Sequence, residues 1–138
     1  MRVVLVTALI VALSGSAAAG ARPGSSDAKV ANEARLSKSL QGLSPGKEQN
    51  CINVGPGPTR FSSEVIGDVI LYKSSRRLVY RNNTAGGCER GAVGHALVSL
   101  NAGTQLCVGQ IIVTRNVIGG FDSGSCALGR FVPYTPTK

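Results

Sequence analysis

The stretch that decides the fold is Asp68-Val-Ile-Leu-Tyr-Lys73, followed by Ser74-Ser75-Arg76 and then by Arg77-Leu-Val-Tyr-Arg81. Two short runs of β-branched and aromatic residues that flank a few polar ones are typical of a β-hairpin. Because successive side chains of a strand alternate between its faces, both faces of this hairpin carry apolar residues. This pattern predicts strands that are covered on both sides, as in a small barrel or a covered sheet.

The chain beyond this hairpin continues the β pattern. Residues 119–124 are glycine-rich and are expected to form a loop. Residues 133–136 contain two prolines and are expected to leave the sheet, because proline cannot donate to a central ladder. Short apolar runs separated by turn residues predict strands at 95–101, 104–108, 110–117 and 129–132.

The segment before the hairpin has the pattern of one amphipathic helix, predicted over residues 27–41. Asp27 suits the N-terminal cap, and Gly42 suits the left-handed position after the last turn. Apolar residues such as Val30 and Leu40 fall near one face. One helix and five to six short strands predict a mostly β (α+β) fold: a small disulfide-linked antiparallel β barrel or meander with an N-terminal helix.

The first residues have the layout of a cleavable signal peptide, residues 1–19. One charge at Arg2 precedes an apolar run at 3–13, which is shorter than the about 20 residues of a membrane-spanning helix. Ala17 and Ala19 supply the small-x-small pattern of a signal peptidase site, so we place the cleavage after Ala19. No later run is apolar and long enough to span a membrane, so the mature protein is expected to lack a transmembrane segment and to be periplasmic or secreted.

The mature chain is expected to have three parts. Residues 20–26 form a flexible lead-in, residues 27–50 the helix and a turn-rich connection, and residues 51–138 a disulfide-linked β domain. The β domain contains all four cysteines, and an even number in an exported protein predicts two structural disulfides. The residues alone leave the connectivity open. The cysteines are Cys51, Cys88, Cys107 and Cys126.

No motif of catalysis or metal binding is recognisable in the sequence. His95 is the only histidine, and zinc sites need Cys and His pairs a few residues apart. Asp122-Ser123-Gly124 lacks the Gly-Asp-Ser-Gly-Gly context of trypsin-like proteases. We therefore predict no catalytic residue, no metal ligand and no cofactor, and a protein that is not an enzyme.

The charge pattern is the most suggestive functional feature. The chain carries 15 basic and 7 acidic side chains, a net charge of +8, which attracts anionic surfaces. Export argues against nucleic acid as the partner. A cationic hairpin end can bind an anion at little cost to folding, although it can also serve only to discourage edge-to-edge aggregation. The candidate anion-binding residues are Lys73, Arg76, Arg77 and Arg81.

A series of short motifs extends over the chain from about residue 36 onward. It consists of Leu40-Gln-Gly, Cys51-Ile52, Val65-Ile-Gly-Asp68, Ile70-Leu-Tyr72, Tyr80-Arg-Asn82, Gly87-Cys88, Leu106-Cys107, Ile111-Ile-Val113 and Gly124-Ser-Cys126-Ala-Leu-Gly129-Arg-Phe-Val-Pro133. The series resembles a family of small uncharacterised exported proteins from sphingomonad-type Proteobacteria, a domain of unknown function. The resemblance implies export and a cysteine-linked fold, and it implies no activity. It also implies the pairs Cys51–Cys107 and Cys88–Cys126.

The sequence thus predicts an exported non-enzymatic protein that binds an anionic component of the cell envelope through residues 73–81. The alternative is a small secreted inhibitor that presents a disulfide-held loop, such as residues 119–125, to a hydrolase. Salt-sensitive binding favours the first function, because salt screens exposed charges. Loss of inhibition after changes in the loop favours the second.

Overall fold

The structure, a computed structural model, describes residues 25–55, 61–88, 94–100 and 103–137. The predicted signal peptide, its cleavage after Ala19 and most of the lead-in lie outside these residues. No helix within the described ranges is apolar and long enough to cross a membrane. The elements are α1 (Ser25–Ser39), β1 (Leu43–Pro45), β2 (Cys51–Asn53), β3 (Ser62–Ile66), β4 (Val69–Ser75), β5 (Leu78–Asn83), β6 (Ala85–Gly86), β7 (His95–Ser99), β8 (Gln105–Cys107), β9 (Ile111–Asn116), β10 (Asp122–Ala127) and β11 (Phe131–Pro136).

The described strands form three antiparallel sheets, which confirms a mostly β fold with one helix. The largest sheet has the order β1-β11-β5-β4-β3, in which β3, β4 and β5 form a meander and β4–β5 is the predicted hairpin. A four-stranded sheet has the order β6-β10-β9-β7, and β2 pairs with β8. The five-stranded sheet is open, with β1 and β3 at its edges, so the meander and not the barrel is the form adopted.

Helix α1 covers one face of the five-stranded sheet, but only part of the predicted apolar face, namely Leu40, contacts it. Val30, placed on the apolar face by periodicity, is 71% exposed. Leu36 is buried instead, and Leu40, one turn later, packs beside it against the sheet. Two leucines at i and i+4 bury more apolar area than Val30 and its alanine neighbours, which explains the choice of face. Gly42 follows the helix with a φ of +76°, as predicted.

The other face of the five-stranded sheet forms the main core. Ile70, Tyr72 and Phe131 of this face pack against the two smaller sheets. Tyr72 and Phe131 form an aromatic pair with ring centroids 5.9 Å apart. The sheet is therefore covered on both sides, as the apolar residues on both faces of the hairpin predicted. The smaller sheets contribute Ile52, Leu106, Ile112 and Cys126 to this core, and the segment after β10 contributes Leu128.

Two disulfides join Cys51 to Cys107 and Cys88 to Cys126. The first links β2 to β8, and the second links the segment after β6 to β10. They are the same two pairs that the resemblance implies. Two disulfides in so short a chain are typical of a protein that resides in an oxidising compartment.

The prediction that residues 133–136 leave the sheet was wrong. They belong to β11, which lies between β1 and β5. Pro133 lies opposite Tyr80 of β5, and its carbonyl accepts the Gly46 N–H on its other side at 2.7 Å. In an antiparallel ladder the N–H and C=O of a residue point to the same side. The N–H that proline lacks therefore falls beyond the end of β1, and no hydrogen bond to β5 is lost.

The prediction of a loop over residues 119–124 was also wrong in part. Strand β10 begins at Asp122 and pairs with β9, with a register shift between Asp122 and Gly124. Thr114 is fully buried, and its hydroxyl donates to the Gly124 carbonyl at 3.1 Å. Gly124 lies so close to the Gly87 carbonyl that a Cβ atom would overlap with it. Strand β10 has few apolar residues. Its extended conformation therefore depends more on pairing with β9 than on its own sequence.

Candidate anion-binding site at the β4–β5 hairpin

The turn of the β4–β5 hairpin consists of Arg76 and Arg77, both exposed; we call this pair the arginine turn. The turn lies later than the predicted 74–76, because Ser75 still pairs with Leu78 after a register shift that begins at Lys73. The Arg77 N–H donates to Ser75 Oγ at 3.2 Å. The hairpin therefore places two adjacent guanidinium groups at its exposed end.

Lys73 is an ion-pair partner and not a free cation. Its Nζ lies 2.6 Å from Glu64 Oε2, because β3 and β4 are paired and Ser62 lies opposite Lys73. Arg35 of α1 approaches Glu64 Oε1 at 3.4 Å, and the Ser39 hydroxyl donates to Oε2 at 3.5 Å. The hydrogen bond from Lys73 lowers the pKa of Glu64, with partial burial acting against it. This cluster links the helix to the sheet and neutralises the charge of Lys73.

Arg81 is also separated from the arginine turn. It lies opposite Leu71, in the middle of the hairpin. Its Nε donates to Asn83 Oδ1 at 3.0 Å, so the side chain extends toward the end of the hairpin opposite the turn. The four predicted residues therefore divide into two exposed arginines at the turn, one paired lysine and one arginine directed away from it.

A cleft of about 430 Å³ lies between the arginine turn and the C-terminal end of α1. Hydroxyl, amide and guanidinium groups line it, and all of them can donate hydrogen bonds to an anionic oxygen. The sequence did not indicate that residues of α1 and β3 take part in this cleft. They reach the hairpin only because α1 packs against the sheet. The polar lining residues are Ser39, Gln41, Ser62, Lys73, Ser74, Ser75 and Arg76.

His95 and Ser123 lie on different strands of the four-stranded sheet, with β9 between them. His95 opens β7 opposite Asn116, and it lines a separate cleft of about 360 Å³ together with Arg35 and Glu64. Ser123 belongs to β10, where its hydroxyl donates to the Thr114 carbonyl at 3.1 Å. The Asp-Ser-Gly stretch thus stabilises the pairing of β9 with β10.

No family model, curated protein or solved structure matches this chain.

Proposed function

We propose that this protein is exported, periplasmic or secreted, and non-enzymatic, and that its arginine turn binds a phosphate-bearing component of the cell envelope. One observation carries the proposal. Arg76 and Arg77 are exposed and have no ion-pair partner within the part of the chain that the structure describes, whereas Glu64 of the adjoining strand is already bound by Lys73 and Arg35.

The chemistry of the arginine turn suits phosphate. Guanidinium groups bind phosphate oxygens in a bidentate manner, and their planar donors are preorganised for it. Serine hydroxyls of the adjacent cleft add further donors. The net charge of +8 attracts an anionic surface from a distance. Because the site is exposed, its affinity is expected to fall steeply with salt.

The position of the hairpin argues against a purely protective role for these arginines. Charged residues discourage aggregation when they lie on edge strands, whose backbone groups are unpaired. Strands β4 and β5 are interior strands, and the edges of their sheet are β1 and β3. Arginines at the turn of an interior hairpin protect neither edge, which favours a binding role.

The alternative function is a secreted hydrolase inhibitor that presents residues 119–125. Most of this predicted loop is part of a strand. Residues from Asp122 onward form β10. Only the turn between β9 and β10 remains to be presented to a partner.

The test compares the double variant Arg76→Ala/Arg77→Ala with a matched control, Lys47→Ala/Arg130→Ala. The control removes the same charge from exposed residues outside the hairpin. Co-sedimentation measures binding to phosphatidylglycerol vesicles and to lipopolysaccharide, at low salt and at about 1 M salt, where the Debye length is about 3 Å. The two ligands distinguish a phospholipid headgroup from a lipopolysaccharide phosphate.

We expect wild-type binding at low salt and release at high salt. A basic residue near an anionic surface contributes about 1 kcal/mol, so the arginine-turn variant is expected to bind roughly ten- to thirtyfold more weakly. The control is expected to lose much less. Equal losses in the two variants would contradict a site at the arginine turn, as would wild-type binding that does not respond to salt.

A further inference from the structure

The turn between β9 and β10, residues 117–121, exposes three large apolar side chains; we call it the apolar turn. Val117 is 63% exposed, Ile118 93% and Phe121 60%. These side chains lie together at the end of a hairpin, so the surface is a projection and not a groove. Contiguous exposed apolar residues mark sites that contact a partner protein or a membrane.

The backbone of the apolar turn satisfies its own hydrogen-bond donors. Five consecutive N–H groups, from Asn116 to Gly120, donate to acceptors inside the protein. Asn116 provides most of these acceptors through its side-chain Oδ1 and its carbonyl. The donor–acceptor pairs are Asn116–Phe121, Val117–Gly94, Ile118–Asn116, Gly119–Asn116 and Gly120–Asn116, at 2.9, 3.1, 3.0, 2.7 and 2.9 Å.

This internal pairing matters only where water is absent. A turn exposed to water can leave its donors to the solvent, but hydrocarbon offers no acceptor, and each unpaired group there is strongly unfavourable. A partner protein, by contrast, usually forms direct hydrogen bonds across the interface. The apolar turn has no N–H from residue 116 to 120 left to offer such a partner. The paired donors suit shallow contact with a lipid bilayer better than a protein pocket. The carbonyls of residues 117–120, to which no described group donates, then stay within reach of water at the headgroups.

The charges next to the apolar turn also suit a bilayer. Arg115 and Asp122 flank it and form an ion pair, with 2.8 Å between Nε and Oδ1. This bond raises the pKa of Arg115. Because the two charges compensate each other, the turn carries no unpaired charge toward the hydrocarbon, where a lone charge is costly. The net charge of +8 complements an anionic membrane surface.

We propose that the apolar turn inserts into the outer part of an anionic phospholipid bilayer, with Ile118 deepest and the Arg115–Asp122 pair at the headgroups. This site is separate from the arginine turn. It shares with the proposed function only the location at the cell envelope, so the two proposals can fail independently.

The experiment uses the absence of tryptophan from the chain. The variant Ile118→Trp places a single fluorescent reporter at the apolar turn, at a side chain whose exposure makes misfolding no concern. The matched control is Leu100→Trp, at a residue 63% exposed. Leu100 follows Ser99, which pairs with Ile112, so it lies at the opposite end of the four-stranded sheet from the apolar turn.

Both full-length variants are mixed with vesicles of phosphatidylglycerol and phosphatidylcholine. We expect a blue shift of the emission of Ile118→Trp and its quenching by lipids brominated in the acyl chains. We expect neither change for Leu100→Trp. Vesicle binding without a blue shift or quenching of Ile118→Trp would overturn the proposal. The protein would then bind the membrane through residues 3–13 or through the arginine turn. Equal shifts at both positions would overturn it as well.

A second variant tests the native side chains. Ile118→Ser/Phe121→Ser is expected to lower partition into the same vesicles at high salt by roughly ten- to a hundredfold, since two large apolar groups no longer leave water. Unchanged partition would contradict insertion. The variant Arg76→Ala/Arg77→Ala separates the proposals: it weakens salt-sensitive binding but leaves the blue shift of Ile118→Trp at saturating lipid. Specific inhibition of a hydrolase by the wild type, lost in the serine variant and without any vesicle effect, would assign the apolar turn to a protein pocket.

Discussion

The two hairpin turns of this protein differ in side chains and in backbone. The arginine turn exposes two cations, and its Arg77 N–H donates to Ser75 Oγ at the end of β4. The apolar turn exposes Val117, Ile118 and Phe121, and four of its N–H groups are bonded internally. A turn that meets water and anions needs little internal pairing, whereas a turn that meets hydrocarbon needs much of it. The backbone of each turn thus matches the surroundings that its side chains favour.

The two hairpins are also fixed to the molecule by different chemistry. The β4–β5 hairpin lies inside the five-stranded sheet, where Glu64 connects Lys73 of β4 to Arg35 of the helix. The β9–β10 hairpin is fixed by the disulfide between Cys88 and Cys126. Reduction is therefore expected to destabilise the four-stranded sheet, and acid the contact of α1 with the five-stranded sheet.

The largest effect is expected from Cys88→Ala/Cys126→Ala. The cysteines are separated by 38 residues, so loss of the cross-link costs about 4 kcal/mol on the chain-entropy model. Both cysteines are buried in the main core, so lost packing adds to this cost. Denaturation by urea measures the free energy of unfolding.

The matched control for this prediction is the other disulfide. Cys51 and Cys107 are separated by 56 residues, which also corresponds to about 4 kcal/mol on the same model. Cys51 is exposed, however, so Cys51→Ala/Cys107→Ala adds little packing loss. A larger loss of stability in the control than in the Cys88 and Cys126 variant would refute the role of the buried disulfide in fixing the β9–β10 hairpin.

The sequence predicted those parts of the fold that local patterns determine. The β4–β5 hairpin was predicted because two short runs of β-branched and aromatic residues flank a few polar ones. Gly42 was placed correctly, because glycine adopts the positive φ that ends a helix at no steric cost. The remainder depended on long-range pairing. Pro133 fits inside a sheet only because β1 ends at the place toward which the N–H that proline lacks would point. The local sequence around Pro133 does not indicate the length of that partner strand.

The candidate site was predicted in part, for the same reason. Arg76 and Arg77 were recognised from composition and from the turn. The pairing of Lys73 with Glu64 was missed, because it depends on the register of β3 against β4 and on a helix docked above them. The apolar residues of 117–121 were visible in the sequence. Their exposure was not, because a valine that continues a strand and one that ends it look alike.

A smaller effect is expected from Asn116→Ala. Its Oδ1 accepts the N–H groups of Ile118 and Gly119, so the substitution is expected to cost about 1–2 kcal/mol. The amides of Ile118 and Gly119 should then exchange faster with solvent, as measured by nuclear magnetic resonance. Ser75→Ala is the counterpart in the arginine turn. It removes one exposed hydrogen bond and is expected to cost about 0.5 kcal/mol. Equal costs would remove the distinction between the two turns.

A change in stability as small as that of Ser75→Ala is expected from Glu64→Gln, and its size depends on pH. The hydrogen bond from Lys73 lowers the pKa of Glu64 in the folded state, so the folded protein binds this proton less tightly than the unfolded chain. The ion pairs therefore stabilise the fold above the ordinary carboxyl pKa, and this contribution is lost as the pH falls through the lowered value. Because the pairs are partly exposed, the variant is expected to lose about 0.5 kcal/mol near neutral pH and to match the wild type in acid.

The same variant is expected to strengthen anion binding. Without the carboxylate, Lys73 is no longer neutralised, and its charge adds to that of the arginine turn. Binding to phosphatidylglycerol vesicles at low salt is then expected to rise about fivefold, since one more cation near the surface contributes about 1 kcal/mol. Asp122→Asn is the control, because it adds the same net charge but frees Arg115 beside the apolar turn. Both variants are also compared on inorganic phosphate, which has no acyl chains, so that insertion does not contribute. On that ligand an equal rise in both variants would mean that net charge alone determines the affinity, whereas a rise confined to Glu64→Gln would place the anion at the arginine turn.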